Sequence, residues 1–348
     1  MSAFAVPIDI EPMEARLVAE LPPQSGWQFE PKWDGFRCLA FRDGDSIEIM
    51  SKSGKPLGRY FPEVIALLKR LNARRFVLDG ELILPVGNIL SFDALQARLH
   101  PAESRIHKLA EETPAQLMAF DCIAVGDDSL LDTPLLSRRA RLEKFWAGED
   151  EPALQLSPCT LDVADANAWL RAAGGALDGV VAKRLDEPYQ PGERAMIKVK
   201  QHRTADCVVG GFRYDKAGTL VASLLLGLYD DANRLNHVGF TSALANEERA
   251  ALTARLQDLV DPPGFTGKAP GGPSRWNDDA TSPWEPLRPE LVVEVRYDQV
   301  TGDRFRHGTA LLRWRPDKAP RQCRMEQLDH ALRPAELEQL LARAERKR

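Results

Sequence analysis

Three strand-like stretches of this sequence each contain an acidic residue followed directly by glycine. They are Lys32-Trp33-Asp34-Gly35, Asp79-Gly80-Glu81 and Asp178-Gly179. The second lies within the apolar run Phe76–Leu84, which is typical of a buried strand. A carboxylate inside an apolar strand is costly unless it is paired or bound to a ligand. The interruptions therefore favour functional side chains over a bulge at a solvated edge.

Lys32 is the first candidate for chemistry. A lysine is rarely a nucleophile, because its ordinary pKa of about 10.4 keeps it protonated at neutral pH. Nearby positive charge or burial must favour the neutral amine. Taken alone, so short a motif is better explained by chance, with Lys32 and Asp34 as surface charges on a strand edge. Further lysines downstream, at 183, 198 and 200, favour the interpretation that Lys32 attacks phosphorus.

Composition excludes several classes of protein. The chain has 348 residues, enough for two ordinary domains, with 44% hydrophobic and 28% charged residues. Five widely spaced cysteines form no Cys-x-x-Cys, which argues against zinc and disulfides and favours a reducing cytoplasm. The acidic first residues do not resemble a signal peptide, and no apolar run is long enough to predict a membrane helix.

The charge is distributed unevenly along the chain. The net charge is −5, yet residues 301–348 hold 12 Lys and Arg against 7 Asp and Glu. Because salt screens charges beyond about 8 Å, an acidic protein can still bind a polyanion through a local basic face.

The first 203 residues are predicted to mix strands and helices. Predicted strands are Trp27–Glu30, Phe36–Arg42, Ser46–Met50, Phe76–Leu84, Gln116–Val125, Leu177–Arg184 and Ala195–Lys200. Predicted helices are a short one at Met13–Leu21, then Phe61–Leu71, Leu90–Leu99, Leu136–Trp146 with a basic polar face, and Ala164–Ala173.

Residues 204–348 have a different pattern, with short strands joined by Asp, Gly and Asn turns. Strands are predicted at Asp206–Tyr214, Val221–Tyr229, Leu235–Phe240, Leu291–Val300 and Ala310–Trp314, with helices at Glu247–Leu259 and Pro334–Arg346 and a long Pro/Gly loop at Asp261–Arg288. Five short strands with one helix favour a small Greek-key barrel of the oligonucleotide-binding (OB) type. We therefore predict two domains, 1–203 and 204–348.

The motifs as a set resemble the covalent nucleotidyltransferases, and above all the ATP-dependent DNA ligases. In chain order they are Lys32-x-Asp34-Gly35-x-Arg37, Ser51-x-x-Gly54, Asp79-Gly80-Glu81, Phe120-Asp121, Asp178-Gly179-x-Val181-x-Lys183, Lys198-x-Lys200 and Arg315-x-Asp317-Lys318. The chain is most similar to small bacterial ligases of the ligase C type and to the ligase module of ligase D. The resemblance implies an α+β fold, in which an adenylation domain of antiparallel sheets and helices precedes an OB barrel.

The resemblance also implies a role for each site residue. Lys32 would attack the α-phosphorus of ATP, and Lys183, Lys198 and Lys200 would bind the α-phosphate and assist catalysis. Glu30 would contact the adenine amino group, Arg37 and Glu81 the ribose, and Phe120 the adenine face. Asp34 and Asp178 would hold Mg²⁺ or Mn²⁺ or its waters. Arg315 and Lys318, with Asp317, would orient pyrophosphate when the barrel closes over ATP.

Three positions depart from the family pattern. Asp178 replaces a more common glutamate, Met196 an aromatic residue, and Lys52 an arginine. Lys52 weakens any bidentate phosphate contact at its position. None of the three departures removes the nucleophile.

The function implied by the resemblance is sealing of 5′-phosphate/3′-hydroxyl nicks or breaks in duplex DNA, in repair. The alternatives are an RNA-capping guanylyltransferase that uses GTP, an RNA ligase, and a non-catalytic DNA-binding module. The implied partners are nicked DNA and the end-binding protein Ku or other repair proteins. A monomer, without a membrane, in the bacterial cytoplasm and at the nucleoid when acting, is expected.

Overall fold

The computed structural model describes residues 4–86, 89–172, 177–200, 203–242, 244–245, 248–271, 283–298, 300–306 and 308–328. These residues form two compact units, which divide between residues 201 and 202. The predicted helix Pro334–Arg346 lies outside the described residues. In the part of the chain described, no helix combines the length and apolar character that crossing a bilayer requires.

The first unit contains two principal sheets, a small hairpin and five helices within its described ranges. Its strands are β1 (Ala15–Leu17), β2 (Trp27–Trp33), β3 (Phe36–Asp43), β4 (Ser46–Ser51), β5 (Arg75–Ile83), β6 (Pro85–Val86), β7 (Ile89–Leu90), β8 (Gln116–Val125), β9 (Asp128–Ser129), β10 (Leu154–Leu156), β11 (Leu177–Arg184) and β12 (Met196–Val199). Its helices are α1 (Pro62–Arg70), α2 (Phe92–Arg98), α3 (Glu103–Glu112), α4 (Leu135–Ala147) and α5 (Val163–Ala172), with a 3-10 turn at Gly58–Tyr60.

The smaller sheet has four strands in the order β1-β12-β11-β2. Its two long strands are antiparallel, with Lys32 opposite Gly179 and Glu30 opposite Val181. One face packs Phe29, Val180 and Ala182 with Trp169 of α5 into an apolar cluster. Because strand residues alternate between faces, the opposite face carries Gln28, Glu30, Lys32 and Lys183.

The larger sheet of the first unit has six strands, in the order β10-β8-β5-β3-β4 with β9 paired to β8. Alternation divides its core, because Cys38 and Ala40 pack on α1 while Leu39 and Phe41 join a second cluster on the other face. That second face also carries Arg37 at the start of β3. Each of the two sheets therefore has one face that carries polar side chains, Glu30 and Lys32 on the smaller sheet and Arg37 on the larger.

The second unit is mostly antiparallel sheet. Its elements are β13 (Arg203–Tyr214), β14 (Val221–Tyr229), β15 (Leu235–Thr241), α6 (Arg249–Gln257), β16 (Glu285–Pro286), β17 (Val292–Tyr297), β18 (Val300–Thr301), β19 (Arg304–Phe305) and β20 (Ala310–Trp314), with 3-10 turns at Pro320–Gln322 and Met325–Leu328. The sheet order is β15-β14-β13-β17-β20, with β16 paired to β13.

The two edge strands of that sheet meet. Thr241 at the end of β15 forms a bridge with Thr309, which precedes β20, and its Oγ1 donates to the Thr309 carbonyl at 2.9 Å. The sheet thus closes around a core that includes Val208, Leu226 and Val293. The predicted OB barrel and the α+β class are confirmed.

One predicted element is wrong. Met13–Leu21 does not form a helix, because Ala15–Leu17 is a strand that pairs in parallel with β12. The pairing satisfies the backbone of an edge that β12 would otherwise expose, and tertiary pairing outweighs a short apolar repeat.

Other predictions needed smaller corrections. The sequence analysis missed α3, although Ile106, Leu109 and Ala110 form a short apolar stripe at helical spacing among charged residues. The predicted loop Asp261–Arg288 contains the two-residue strand β16, and the strand predicted at Leu291–Val300 is confined to β17 before the separate β18. The other strands and helices predicted within the described residues are confirmed with shifted ends.

Candidate active site

A cavity of about 1040 Å³ lies between the two sheets of the first unit. The smaller sheet contributes Glu30, Lys32, Lys183 and Lys198 to its wall. The larger sheet contributes Arg37, Glu81 and Phe120. The end of β4 and the loop after it contribute Ser51, Lys52, Ser53 and Lys55. The volume falls at the size of a pocket for a drug-sized molecule.

Lys32 is held by a carboxylate shared with a second lysine. Its Nζ lies 2.6 Å from Asp178 Oδ2, and Lys200 Nζ lies 3.1 Å from the same oxygen. The pairing of β11 with β2 is irregular between Leu177 and Gly179, and this bulge is where Asp178 sits. Gly179 has a φ of +144°, and an added Cβ would overlap the carbonyl oxygen of Val199. Gly179 therefore permits the backbone conformation and close packing at the bulge, and Asp178 binds Lys32.

Glu30 lies deeper in the cavity, at a separate polar cluster. Gln28 Nε2 donates to Glu30 Oε1 at 2.7 Å, and Lys183 Nζ lies 2.9 Å from Oε2. Lys183 Nζ also lies 4.6 Å from the centre of the Phe120 ring. Lys183 pairs in register with Gln28, four residues along the strand from Lys32, which corresponds to about 13 Å. The structure thus places Lys183 with Glu30 and Phe120, away from Lys32.

Arg37 is fixed by a buried aspartate. Its Nε and Nη2 donate to the two oxygens of Asp79 at 3.0 and 2.6 Å. The hydroxyl of Tyr189 donates to Asp79 Oδ2 at 2.7 Å and accepts from the backbone N–H of Met13 at 3.0 Å. Asp79 is only 1% exposed, so the predicted cost of a strand carboxylate is met by pairing.

Glu81 stands opposite Arg37 in the register of β3 and β5 and lines the same cavity. Burial raises the pKa of Glu81 to about 7, and the positive charges of Lys32 and Arg37 only partly offset this effect. Gly35 allows the close approach, because an added Cβ there would overlap the Leu82 carbonyl oxygen and the Glu81 side chain.

Lys198 adds positive charge to the cavity wall. Burial lowers its pKa, and the like charges of Lys32, Lys52 and Lys200 lower it further. Lys52 is itself paired with Glu14 at 2.8 Å. Lysines that repel one another are stabilised by a bound anion, so this end of the cavity suits phosphate.

The remaining candidates lie in the second unit. Arg315 Nη1 donates to Asp206 Oδ1 at 2.9 Å, and Lys318 Nζ to Asp206 Oδ2 at 2.6 Å. Arg315 also binds Asp317, and its guanidinium lowers the pKa of Asp317 to about 2. One aspartate on β13 therefore orients both cations.

The predicted metal ligands do not form a protein cage. Within the described residues no group of three His, Cys, Asp or Glu side chains converges as a metal site. Asp178 pairs with Lys32 at 2.6 Å and is already shared with Lys200. Such a hard oxygen donor fits Mg²⁺, which commonly uses one or two carboxylates, several waters and substrate phosphates.

Three site residues were missed from the sequence. Gln28, Asp206 and Tyr189 bind Glu30, the Arg315–Lys318 pair and Asp79, respectively. Gln28 had a usable signal, since it lies two residues before Glu30 and hence on the same strand face. Asp206 and Tyr189 are distant in sequence from their partners, and no local pattern indicates them.

Comparison with known proteins assigns the site to a class of enzyme. Residues 13–200 match the family model described as ATP dependent DNA ligase domain, and residues 217–318 match the ATP dependent DNA ligase C terminal region. The chain belongs to the ATP-dependent DNA ligase family. The resemblance inferred from the motifs is thereby confirmed, and the capping-enzyme, RNA-ligase and non-catalytic alternatives are set aside.

Individual relatives agree with this assignment. The chain is 46% identical to DNA ligase C1 of Mycolicibacterium smegmatis over 93% of its length and 94% of that protein. It is 31% identical to the multifunctional non-homologous end joining protein LigD of Mycobacterium bovis, covering 85% of this chain and 37% of that one. A solved Lig E DNA ligase shares the fold, with a TM-score of 0.52 at 18% identity, over 88% of this chain and all of that one (100%).

Proposed function

We propose that this DNA ligase seals nicks through an AMP group carried on Lys32. The observation that supports this assignment is the position of Lys32 Nζ, which is bound by Asp178 at 2.6 Å on the wall of a nucleotide-sized cavity. Lys198, in the same wall, and Lys200, on the same carboxylate, provide positive charge near the α-phosphate.

The proposed reaction has three steps. The Nζ of Lys32 loses a proton and forms a bond to the α-phosphorus, while the bond from that phosphorus to the bridging oxygen breaks and pyrophosphate leaves. An oxygen of the 5′-phosphate of the nick then forms a bond to the phosphorus of the lysine-bound AMP, while the phosphorus–nitrogen bond breaks and the amine of Lys32 takes up a proton. Finally the 3′-hydroxyl attacks that phosphate and AMP departs. Phosphoryl transfer of this kind depends mostly on positioning and electrostatics.

The described contacts suggest how ATP is oriented. Glu30 accepts from the adenine amino group, and Phe120 packs on the base. Arg37 and Glu81 bind the ribose. Asp79 fixes the plane of the Arg37 guanidinium for this contact. Lys183 was expected at the α-phosphate, but its ion pair with Glu30 supports a role at the base instead.

A divalent ion and the barrel complete the proposal. Asp178 and Asp34 would hold Mg²⁺ or Mn²⁺ through oxygen or water, and the ion would neutralise charge on the phosphate oxygens. Arg315 and Lys318 would orient pyrophosphate. We assign residues 1–203 to the adenylation domain and 204–348 to the OB domain, a boundary that lies two residues after the division between the two compact units.

The cellular setting is part of the same proposal. The LigD relative is named for non-homologous end joining, which supports repair of breaks together with an end-binding protein such as Ku. All five cysteines are buried thiols rather than disulfides, which supports a reducing cytoplasm as the location. We expect a monomer that acts at the nucleoid, and comparison of end joining with and without Ku tests the partner.

Covalent labelling tests the central assignment. The protein is incubated with α-labelled ATP, and peptide mass spectrometry locates the AMP. Lys32→Ala should abolish labelling, whereas Lys69→Ala, a change at an exposed lysine of α1, should leave it intact. The Lys32→Ala protein should still join a nick that already carries AMP. AMP retained on the Lys32→Ala chain would refute the assignment.

A further inference from the structure

Gln28 is a buried amide that none of the preceding roles uses. It is 2% exposed and lies on β2, two residues before Glu30 and on the same strand face. Burying an amide is costly unless it is hydrogen bonded. The hydrogen bond that Gln28 Nε2 donates to Glu30 Oε1, at 2.7 Å, offsets that cost and ties the amide to the cavity wall.

The other Glu30 oxygen is held from the neighbouring strand. Lys183 Nζ lies 2.9 Å from Oε2, and Lys183 pairs in register with Gln28. Both donors are almost fully buried, with Lys183 3% exposed. The carboxylate therefore cannot rotate without losing one of two buried hydrogen bonds.

A fixed carboxylate can distinguish purines at position 6. An ionised carboxylate only accepts hydrogen bonds, and each oxygen has about two lone-pair sites, so one site per oxygen remains. Adenine presents an amino group, which donates. Guanine and hypoxanthine present a carbonyl oxygen, which accepts, beside a ring N–H that donates. A carboxylate free to rotate could follow that ring N–H, but a carboxylate held at both oxygens could not.

We propose that Gln28 is a specificity-determining positioning residue, which holds the Glu30 carboxylate so that the site accepts adenine and rejects 6-oxopurines. The inference rests on the proposed role of Glu30 at the base and extends it to a residue outside the ligase motifs. Gln28 acts through Glu30 and does not touch the reacting phosphorus.

The test compares nucleotides as cofactors in steady-state nick sealing by the full chain. Gln28→Met keeps the length of the side chain and removes its donor. The ratio of kcat/KM for ATP to that for inosine triphosphate should fall about tenfold, because one hydrogen bond to a charged group is lost. The change should appear mainly in KM. Gln155→Met on strand β10 is the matched control and should leave the ratio unchanged.

A second variant distinguishes the loss of the amide donor from a general folding defect. Gln28→Asn retains a shorter amide and should show a smaller fall in the ATP-to-inosine ratio than Gln28→Met, at a similar melting temperature. An unchanged ratio in folded Gln28→Met, or an equal fall in Gln28→Met and Gln28→Asn, would overturn the inference. If the parent protein is labelled on Lys32 while the variants keep its selectivity, only the role of Gln28 fails. If the parent is not labelled on Lys32, the proposed function itself fails.

Discussion

The Nζ of Lys32 lies 2.6 Å from an oxygen of Asp178, and the lysine side chain is still 26% exposed. A carboxylate, rather than tight packing, therefore sets the direction of the proposed nucleophile. Asp178 itself is 7% exposed and reaches Lys32 from a bulge in the adjacent strand. The orientation of the amine thus depends on one side chain.

Replacing Asp178 should slow the first step. Asp178→Asn removes the charge that orients Lys32, and we expect self-adenylylation to fall about 100-fold, the size of loss that small misplacements produce. Rapid-quench labelling with ATP measures the rate. Asp186→Asn, at an exposed partner of Arg184, is the control and should retain the parental rate. An unchanged rate in Asp178→Asn would mean that packing alone positions the amine.

The raised pKa of Glu81 predicts a pH-dependent stability. Because its pKa in the folded protein is about 7 against an ordinary 4.5, the folded chain binds this proton more tightly than the unfolded chain. The contribution of Glu81 to the free energy of unfolding is therefore largest below about pH 4.5, where both states are protonated. It decreases as the pH rises to 7 and is constant above.

Glu81→Gln should remove that dependence. Relative to the parent, the variant should gain about 3 kcal/mol in free energy of unfolding between pH 4.5 and 7.5, from the size of the pKa shift. Urea titrations of the ATP-free protein at several pH values measure the difference. Glu111→Gln at an exposed site of α3 should follow the parent. A difference that does not change with pH would contradict the raised pKa.

Tyr189 should support ATP binding at a distance. Tyr189→Phe removes a donor to Asp79 and leaves the Met13 N–H without its buried acceptor. We expect a loss of about 1–3 kcal/mol in stability, because one buried donor is left unsatisfied. The KM for ATP should rise through a less fixed Arg37.

The control for Tyr189 is Tyr214→Phe, whose hydroxyl accepts a hydrogen bond only at an exposed site on the second unit. That change should cost little stability and leave the KM for ATP unaltered. A Tyr189→Phe enzyme with parental KM would show that Asp79 alone fixes Arg37.

The sequence predicted individual residues of the site but not the contacts between them. The family resemblance of the motifs implied that Lys32, Glu30 and Glu81 bind one nucleotide, and the three residues line one cavity. The motifs could not show that Lys183 pairs with Glu30, because strand register across β2 and β11 decides which lysine reaches which acid. The role of Tyr189 could not be predicted from local sequence either, because its partner Asp79 is 110 residues away.

Helix α4 is a second case in which the sequence pattern does not reveal a buried contact. The sequence predicted a basic polar face for this helix, yet Arg138 on it is 1% exposed and forms two hydrogen bonds with the buried Asp121. Amphipathic periodicity separates apolar from polar positions but does not distinguish a polar residue in water from one in a buried ion pair.

Asp206 gives a final prediction about the barrel. It is the common acceptor for Arg315 and Lys318, at 2.9 and 2.6 Å, and its backbone N–H donates to Gln327. Asp206→Asn should leave both cations less ordered, so their proposed contacts with pyrophosphate should weaken. Self-adenylylation should therefore fall about tenfold. The loss is moderate because Asp206 acts only by ordering Arg315 and Lys318 through charge-assisted hydrogen bonds and does not itself contact the nucleotide.

Sealing of a nick that already carries AMP separates the possibilities for Asp206. This reaction needs no pyrophosphate, so the Asp206→Asn enzyme should seal such nicks at close to the parental rate, as should Arg315→Ala and Lys318→Ala. Glu290→Gln, at an exposed ion pair with Arg288 in the same unit, controls for loss of surface charge.

Equal losses in labelling and in sealing would assign the three residues to DNA binding, since contacts with the duplex are needed when the nick is sealed. In that case the affinity of the variants for nicked DNA should also depend less steeply on salt than that of the parent, because fewer phosphates are neutralised.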